Sequence, residues 1–192
     1  MTAGLILAAG ESRRMGSPKA LLAYREESFL DRLVGLFSPR CAPVIVVLGA
    51  ASDEIRARAT RPAQFVVNAE YQRGQTSSMQ CGLRAVPAQA EGVLFTLVDH
   101  PAVAASTIDA LLDPRDARRL VRVPRYQGRR GHPVWFSREL IGEFLVLGDN
   151  GAARDVMAAH AGETDYLDVD DAGILADIDD PASYRGLLGT PT

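Results

Sequence analysis

The sequence predicts an α/β protein of three layers, in which helices cover both faces of a mostly parallel central sheet. Short apolar runs rich in β-branched residues recur in the first hundred residues, at 3–9, 43–49, 63–68 and 92–99. These runs are continuously apolar, as is typical of strands that are buried on both faces. Segments with helical periodicity lie between them, which is the order expected of strand–helix–strand units.

Three helices are predicted between these strands. The segment 28–37 places Phe29, Leu33, Leu36 and Phe37 on one face. Residues 52–60 form a short helix with Ser52 as its N-cap and two acidic residues in the first turn. Residues 76–86 form the third helix.

The second half predicts a β-hairpin and helical excursion that returns to the sheet. Residues 105–113 are helical, residues 118–136 contain two strands joined by a glycine-containing turn, and residues 137–144 and 150–160 supply two helices. Residues 164–180 are expected to form a strand, a turn and a second strand, followed by a closing helix over 181–188. We expect a single domain over residues 1–192.

Composition excludes several functional classes. The net charge of −3 argues against a general nucleic-acid surface, and no apolar run approaches the ~20 residues of a membrane span. Because the start of the chain has no basic region before its short apolar run, we expect a cytoplasmic protein. Cys41 and Cys81 are too few for a disulfide framework or a thiolate zinc site.

The loop after the first strand reads AAGESRRMGSPK, residues 8–19. It is neither a Rossmann fingerprint nor a Walker A loop, because its glycine spacing fits neither motif. Gly10 and Gly16 permit tight backbone turns, and Arg13, Arg14 and Lys19 are cations suited to holding a triphosphate. A surface turn with solvated basic side chains fits the same residue types equally well.

Aspartates supply a candidate metal site. Asp99 ends the fourth strand, and it shares an edge with the first loop if the two strands are parallel. A carboxylate near triphosphate oxygens requires a cation between them, and Mg²⁺ takes this role. Asp177 and Asp179 alternate along an extended segment, so that either one is a candidate second ligand, while Asp180 is expected to cap the last helix. The alternative for Asp99 is a turn or helix-start residue.

A hairpin in the second half carries Arg129, Arg130 and His132. These side chains suit the phosphate of an acceptor, or they simply solvate the hairpin tip. A turn at Asp149 precedes a helix start whose amides are suited to another phosphate. His100, next to Asp99, is a lone histidine that more often packs than coordinates.

Polar residues also lie before the third helix and in its first turn. Asn68, Ser77 and Ser78 are suited to contacting a base or ribose, and their alternative is an ordinary loop and N-cap.

Six motifs together resemble the molybdopterin nucleotidyltransferase-like family, nearest its cytidylyltransferase branch. They cover nearly the whole chain in the family's order: LAAGESRRMGSPKALL, NAEYQRGQTSSMQCGL, VDHP, RRGHPVWF, GDNGAARDVM and DIDDPASY. The resemblance implies a Rossmann-like nucleotidyltransferase fold, with residues 1–100 as the NTP-binding half and residues 101–192 as the acceptor-binding half. It also implies that an acceptor phosphate attacks the α-phosphorus of an NTP and that pyrophosphate leaves.

The resemblance, together with the candidates above, gives a full set of expected site residues. The catalytic residues are Arg14, Lys19 and Asp99, and the metal ligands are Asp99 and Asp179. The remaining nucleotide-binding residues are Leu7, Ala8, Ala9, Gly10, Gly16, Asn68, Ser77 and Ser78, and the acceptor-binding residues are His100, Arg130, Gly131, His132 and Asp149.

The resemblance also bears on the nucleotide. The family's cytidylyltransferases commonly have L-A-A-G where guanylyltransferases have L-A-G-G, so Ala9 favours CTP. Because the cytidylyltransferase branch commonly has D-Q-P, His100 departs from the pattern and leaves the nucleotide and acceptor open.

The implied cofactor is Mg²⁺, with Mn²⁺ as the alternative. The implied partners are CTP or another NTP, a molybdopterin-type or other phosphorylated acceptor, and a molybdenum hydroxylase in transient contact. A guanylyltransferase or a transferase for another small metabolite is one rival function. The other is a non-catalytic accessory protein that binds a nucleotide or cofactor.

Overall fold

The computed structural model describes residues 1–113, 119–148 and 151–189. Its central sheet contains the four predicted strands of the first half, namely β1 (Thr2–Ala8), β4 (Val44–Leu48), β5 (Gln64–Val67) and β6 (Gly92–Leu97). Two short strands, β2 (Ala23–Tyr24) and β3 (Glu27–Ser28), form a separate antiparallel pair. The second half adds β7 (Val121–Tyr126), β8 (Arg129–Arg130), β9 (Val134–Ser137) and β10 (Thr164–Asp168).

The strands of the main sheet follow the order β10, β7, β9, β6, β1, β4, β5, and β8 pairs with β7. β1 is parallel to both β4 and β6, so the loops that follow β1 and β6 leave the sheet at the same edge. The sequence prediction for this edge is therefore confirmed. β9 is antiparallel to both of its neighbours, β6 and β7, and inserts a strand of the second half into the middle of the sheet.

Helices flank this sheet along the chain. They are α1 (Phe29–Phe37), α2 (Ser52–Arg58), α3 (Gln75–Arg84), α4 (Ala105–Leu111), α5 (Ile141–Leu145), α6 (Ala153–Ala159) and α7 (Pro181–Gly189). Short 3-10 helices cover Lys19–Leu21, Tyr71–Arg73, Arg138–Leu140, Ala161–Glu163 and Ala172–Leu175. Within the described residues, no helix has the length and apolar character that a membrane span needs.

Two apolar clusters, one on each face of the sheet, produce the three predicted layers. Ile6 and Val46 face a cluster that includes the apolar sides of α1 and α4. Leu5 and Val47, their neighbours along the same strands, face a second cluster with α3, α5 and α6. Because successive residues of a strand point to opposite faces, continuously apolar strands serve both clusters at once.

Asp31 is a buried carboxylate that joins three segments of the first half. Ser28 caps α1 by accepting a hydrogen bond from the Asp31 amide, and its hydroxyl donates to the Asp31 carboxylate. The same carboxylate accepts hydrogen bonds from the amides of Thr60 and Arg61. Burial raises the pKa of Asp31, but these hydrogen bonds outweigh burial and lower the pKa overall.

Two local predictions are wrong. Ser52 does not cap α2: it is already the first helical residue, and the cap position belongs to Ala51, which has a left-handed backbone and no capping side chain. The second strand expected within 164–180 is replaced by the 3-10 helix Ala172–Leu175. Asp171 favours this turn because its carboxylate accepts hydrogen bonds from the amides of Gly173 and Ala104.

Candidate active site

A cleft of about 810 Å³ opens at the edge of the sheet where β1 and β6 end. The loop after β1 forms one wall, the end of β6 forms the floor, and the segment before α3 forms the opposite wall. Most of the predicted nucleotide-binding residues of the first loop line it. The lining residues include Leu7, Ala8, Ala9, Gly10, Arg13, Arg14, Lys19, Tyr71, Gln72, Gln75, Ser78, Asp99 and Asp179.

Lys19 connects the two predicted metal ligands. Its Nζ lies 3.0 Å from Asp99 Oδ2 and 2.6 Å from Asp179 Oδ1. Lys19 begins the 3-10 helix after the loop, and its amide donates to the hydroxyl of Ser12, which fixes the loop's end. Asp99 follows β6, and Asp179 lies two residues before the start of α7. Three segments distant in sequence therefore meet at one ammonium group, which we call the lysine clamp.

The surroundings of Lys19 favour its charged form. Burial lowers the pKa of Lys19, but its hydrogen bond to Asp179 and its attraction to Asp99 outweigh burial, so the pKa is raised. The hydrogen bond from Lys19 lowers the pKa of Asp179. Lys19 is thus a cation at neutral pH, held between two acidic side chains.

The two arginines of the loop have different ion-pair partners, although both side chains are mostly exposed. Arg14 Nη1 lies 3.8 Å from Asp179 Oδ2, so its guanidinium borders the lysine clamp. Arg13 is paired with Glu11 on the same loop, and its side chain is 82% exposed. Gly16 has φ +69°, a left-handed backbone that other residues rarely adopt, and so it shapes the turn without lining the cleft.

The donor set at this edge fits a divalent cation. Asp99 and Asp179 already face one shared positive charge, the ammonium of Lys19. Oδ1 of Asp99 is buried and accepts no hydrogen bond from any described residue. Carboxylate oxygens are the ligands that Mg²⁺ prefers. The assignment of Asp99 and Asp179 as metal ligands nevertheless stays a prediction.

Asn68, Ser77 and Ser78 contact one another. The side-chain amide of Asn68 donates to both hydroxyls, each at 3.0 Å, and its carbonyl oxygen accepts from the amide of Glu70. Of the three, Ser78 alone lines the cleft. The arrangement fixes the start of α3 against the loop after β5, and the direct nucleotide contact remains a prediction.

Tyr71, Gln72 and Gln75 also line the cleft, although the sequence did not single them out as site residues. Tyr71 and Gln72 belong to the 3-10 helix before α3, and Gln75 begins α3. These tyrosine and glutamine residues belong to no motif whose spacing would predict a binding site. Their position follows from the parallel order of β1, β4 and β5, which brings the loop after β5 beside the first loop.

A second cavity of about 530 Å³ lies beside the cleft, and Gln75 lines both. Arg130, Gly131 and His132, all predicted acceptor-binding residues, line this cavity. Its walls are largely apolar and aromatic, with Met79, Phe95, Val123, Val134, Phe136, Phe144, Met157 and Tyr166. His100 does not line it, and Asp149 lies outside the described residues.

The polar residues of this cavity have defined positions. The guanidinium of Arg130 lies 4.4 Å above the ring of Tyr166, a cation–π contact. Gly131 packs against the carbonyl of Ile174 so closely that any side chain would collide with that backbone. The amide of His132 donates to the same carbonyl. The segment 130–132 is therefore fixed at the cavity wall.

His100 and His132 form a buried pair between the cavity and the cleft. Their ring centroids are 4.7 Å apart. Burial lowers the pKa of both, and for His132 burial and the neighbouring His100 bring the pKa to about 4. Both imidazoles are therefore neutral at pH 7.

The family model of the MobA-like NTP transferase domain matches residues 4–164. The chain belongs to the MobA-like NTP transferase family. That match includes the loop after β1, Asp99 and two of the predicted acceptor-binding residues, Arg130 and His132.

Relatives in this family carry both nucleotide specificities in their names. The chain is 24% identical over 182 residues to the molybdenum cofactor cytidylyltransferase of Escherichia coli, covering 94% of this chain and 92% of that protein. It is 30% identical over 192 residues to the purine catabolism protein PucB of Bacillus subtilis, covering 94% and 93%. It is 28% identical to a probable molybdenum cofactor guanylyltransferase of Mycobacterium avium, covering 96% and 94%.

Solved structures of similar chains share the fold. Rv0371c of Mycobacterium tuberculosis superimposes with a TM-score of 0.85 at 33% identity, covering 98% of this chain and 97% of that one. A complex of Rv0371c with manganese superimposes with a TM-score of 0.81 at 31% identity, covering 99% of each chain. The Rossmann-like fold that the sequence predicted for this MobA-like NTP transferase is thereby confirmed.

Proposed function

We propose that this chain transfers a nucleoside monophosphate, CMP from CTP, to the phosphate of a molybdopterin-type acceptor and releases pyrophosphate. The observation that carries the proposal is the lysine clamp, which stands at the cleft floor within reach of an adjoining aromatic cavity. A cleft of about 810 Å³ accommodates a nucleoside triphosphate, and the second cavity suits a flat ring bearing an anionic group.

The chemistry requires positioning and charge neutralisation more than proton transfer. An acceptor phosphate oxygen forms a bond to the α-phosphorus, the bond from that phosphorus to the oxygen of the β-phosphate breaks, and pyrophosphate leaves with the electron pair. Because the attacking phosphate is already an anion, no general base is needed. Lys19 and Arg14 would hold the triphosphate and neutralise the charge that develops on its oxygens.

The metal would be held by Asp99 and Asp179. When bound, a divalent cation supplies charge neutralisation for the phosphate oxygens. The manganese complex of Rv0371c and the acidic donors at the cleft floor support a divalent cation for this chain, with Mg²⁺ as our proposed choice.

On the acceptor side, Arg130 offers a cation next to an aromatic wall. The guanidinium on the face of Tyr166 would contact the acceptor phosphate, while the apolar surface of Phe95 and Phe136 would contact its ring system. His100 contributes indirectly, by packing against His132. The enzyme would work in the cytoplasm and pass its product to a molybdenum hydroxylase.

The nucleotide is the finer part of the proposal. Ala9 is 5% exposed and lines the cleft, so its methyl group occupies space that glycine would leave open. We therefore expect CTP to be preferred to GTP. The guanylyltransferase name of the Mycobacterium avium relative, together with His100 in place of the usual glutamine, supports GTP as the second candidate.

The test is a pyrophosphate-release assay with each NTP, with Mg²⁺ or Mn²⁺, and with molybdopterin present or omitted. We expect release that depends on the acceptor and is fastest with CTP, and Ala9→Gly should raise the rate with GTP relative to CTP. Fastest release with GTP would select the guanylyltransferase. No release with any nucleotide would favour the non-catalytic accessory protein.

A further inference from the structure

The two carboxylate oxygens of Asp99 have different surroundings. Oδ2 accepts a hydrogen bond from Lys19 and belongs to the lysine clamp. Oδ1 is buried and accepts no hydrogen bond within the described ranges; Nε2 of His100 lies 3.8 Å from it. That distance is too long for a hydrogen bond. Burying a carboxylate oxygen without a hydrogen-bond partner lowers the stability of the fold. This side of Asp99 is therefore suited to binding a further partner.

Asp177 joins Asp99 and His100 at this second side. One ligating atom from each of the three residues lies within 4.8 Å of the other two. Donors bound to one ion at about 2.0–2.2 Å are separated by roughly 3–4.4 Å. Small side-chain rotations are therefore enough to bring the three donors to one cation.

The burial of His100 is typical of a prearranged ligand rather than of a solvated side chain. The side chain of His100 is 8% exposed, and its Nδ1 has no hydrogen-bond partner among the described residues. The ring is held by its contact with His132. Asp177 is exposed to solvent and provides the side from which an ion enters. A fixed imidazole beside two carboxylates is a mixed nitrogen and oxygen donor set.

This donor set differs from the all-oxygen pair of Asp99 and Asp179. Imidazole nitrogen is a common ligand of first-row transition metals, whereas Mg²⁺ is bound mostly by oxygen. We propose that Asp99, His100 and Asp177 form, on the Oδ1 side of Asp99, a metal site with one nitrogen ligand that takes a divalent transition metal. The inference deepens the proposed function and rests on it for its biological use, although metal binding itself requires no nucleotide.

The principal test uses Mn²⁺ as the probe on the nucleotide-free protein. Electron spin-echo envelope modulation detects ¹⁴N coupling when a histidine nitrogen ligates Mn²⁺, and the chain has three histidines. We expect the coupling in the wild type, its loss in His100→Gln, and its retention in His160→Gln. His160 is a suitable control because it pairs with Glu143 and Glu163 at the surface.

A second variant keeps the test independent of how His100 affects folding. Asp177 is exposed, so Asp177→Asn should leave metal-free thermal unfolding unchanged and weaken Mn²⁺ binding at least ~10-fold. Asp170→Asn, at an exposed aspartate of the same segment, should bind Mn²⁺ as tightly as the wild type. Titration followed by the free Mn²⁺ resonance measures both.

Three results would overturn the inference: no ¹⁴N coupling in the wild type, coupling that persists in His100→Gln, or unchanged Mn²⁺ affinity in Asp177→Asn. Failure of the proposed function is a separate result. A protein that shows the His100-dependent coupling but releases no pyrophosphate keeps the metal site and loses the transferase. A protein that releases pyrophosphate without the coupling keeps the transferase and loses this metal site.

Discussion

Lys19 Nζ lies 2.6 Å from Asp179 Oδ1, although the two residues are 160 positions apart in the chain. The contact joins the loop after β1 to the segment before α7, on which Asp180 caps the helix by accepting from the amides of Ala182 and Ser183. Lys19 is also the single lysine of the chain, all other basic side chains being arginine or histidine. An ammonium group is compact enough to contact two carboxylates at once. The same group is expected to contact a phosphate when the nucleotide binds.

Lys19→Ala should reduce kcat/KM for pyrophosphate release at least ~100-fold, the loss typical of one preorganised charge-stabilising group. Steady-state kinetics with CTP and acceptor measure this loss. Arg56→Ala, at an exposed arginine of α2, is the matched control and should retain the wild-type rate. An equal loss in both variants would show that the effect does not depend on the lysine clamp.

Nucleotide should protect Lys19 from chemical modification. Because the chain has one lysine, an amine-reactive acylating reagent labels only Lys19 and the N-terminus. We expect CTP with a divalent cation to slow labelling of Lys19 at least ~10-fold, since the phosphates cover the ammonium, and to leave the rate at Met1 unchanged. Mass spectrometry of the peptides measures both rates. Equal labelling of Lys19 with and without nucleotide would contradict its contact with phosphate.

Asp99→Asn should nearly abolish turnover and leave the fold intact. The amide keeps the size of the side chain but removes the negative charge that a divalent cation needs. Pyrophosphate release measures turnover, and circular dichroism checks the fold. Asp53→Asn, on the exposed side of α2, serves as the control. Near wild-type activity of Asp99→Asn with Mg²⁺ would rule out the metal role of Asp99.

Arg130→Ala should raise the KM for the acceptor by ~10-fold or more and change the KM for CTP little, because Arg130 lines the second cavity but not the cleft. Varying each substrate in turn measures the two constants. Arg129→Ala removes the neighbouring exposed arginine, which does not line the cavity, and should leave both constants unchanged. A rise in the KM for CTP alone would place Arg130 on the nucleotide side.

Asp31→Ala should lower the free energy of unfolding at pH 7 by about 2–3 kcal/mol, because the amides of Thr60 and Arg61 lose the buried, charged carboxylate that accepts their hydrogen bonds. The pKa of Asp31 is lower in the folded chain than its unfolded value of about 3.9. Its contribution to stability is therefore present above that value and is lost as the pH falls through the folded-state pKa. Urea unfolding of wild type and variant should converge below pH ~4, and a constant difference down to pH 2 would contradict this linkage.

The order of strands and helices in the first half was predictable because apolar runs such as residues 43–49 can be satisfied only by burial on both faces. The meeting of Asp99 with the first loop followed from parallel strands. The resemblance supplied Lys19 and Asp179 as site residues, but their mutual contact depends on how the chain returns from β10 to α7. No short sequence pattern predicts the contact between Lys19 and Asp179.

Other features depended on three-dimensional geometry that cannot be predicted from residue types alone. Ser52 has the chemistry of an N-cap, but the left-handed backbone of Ala51 placed it one position inside the helix. Asp171 was one acidic residue among many, and its buried hydrogen bonds to Ala104 and Thr107 turned an expected strand into a 3-10 helix. Tyr71 and Gln75 became cleft residues only through the position of the loop after β5.

The placement of β9 between β6 and β7 limits how this enzyme family can be recombined. Val93 pairs with Phe136 and Phe95 with Val134, so the strand that delivers Asp99 is hydrogen-bonded along one side to a strand from the second half. A chimera that takes its nucleotide specificity from one parent and its acceptor specificity from another cannot simply be joined after Asp99. In such a chimera, β6 of one parent must also pair with β9 of the other.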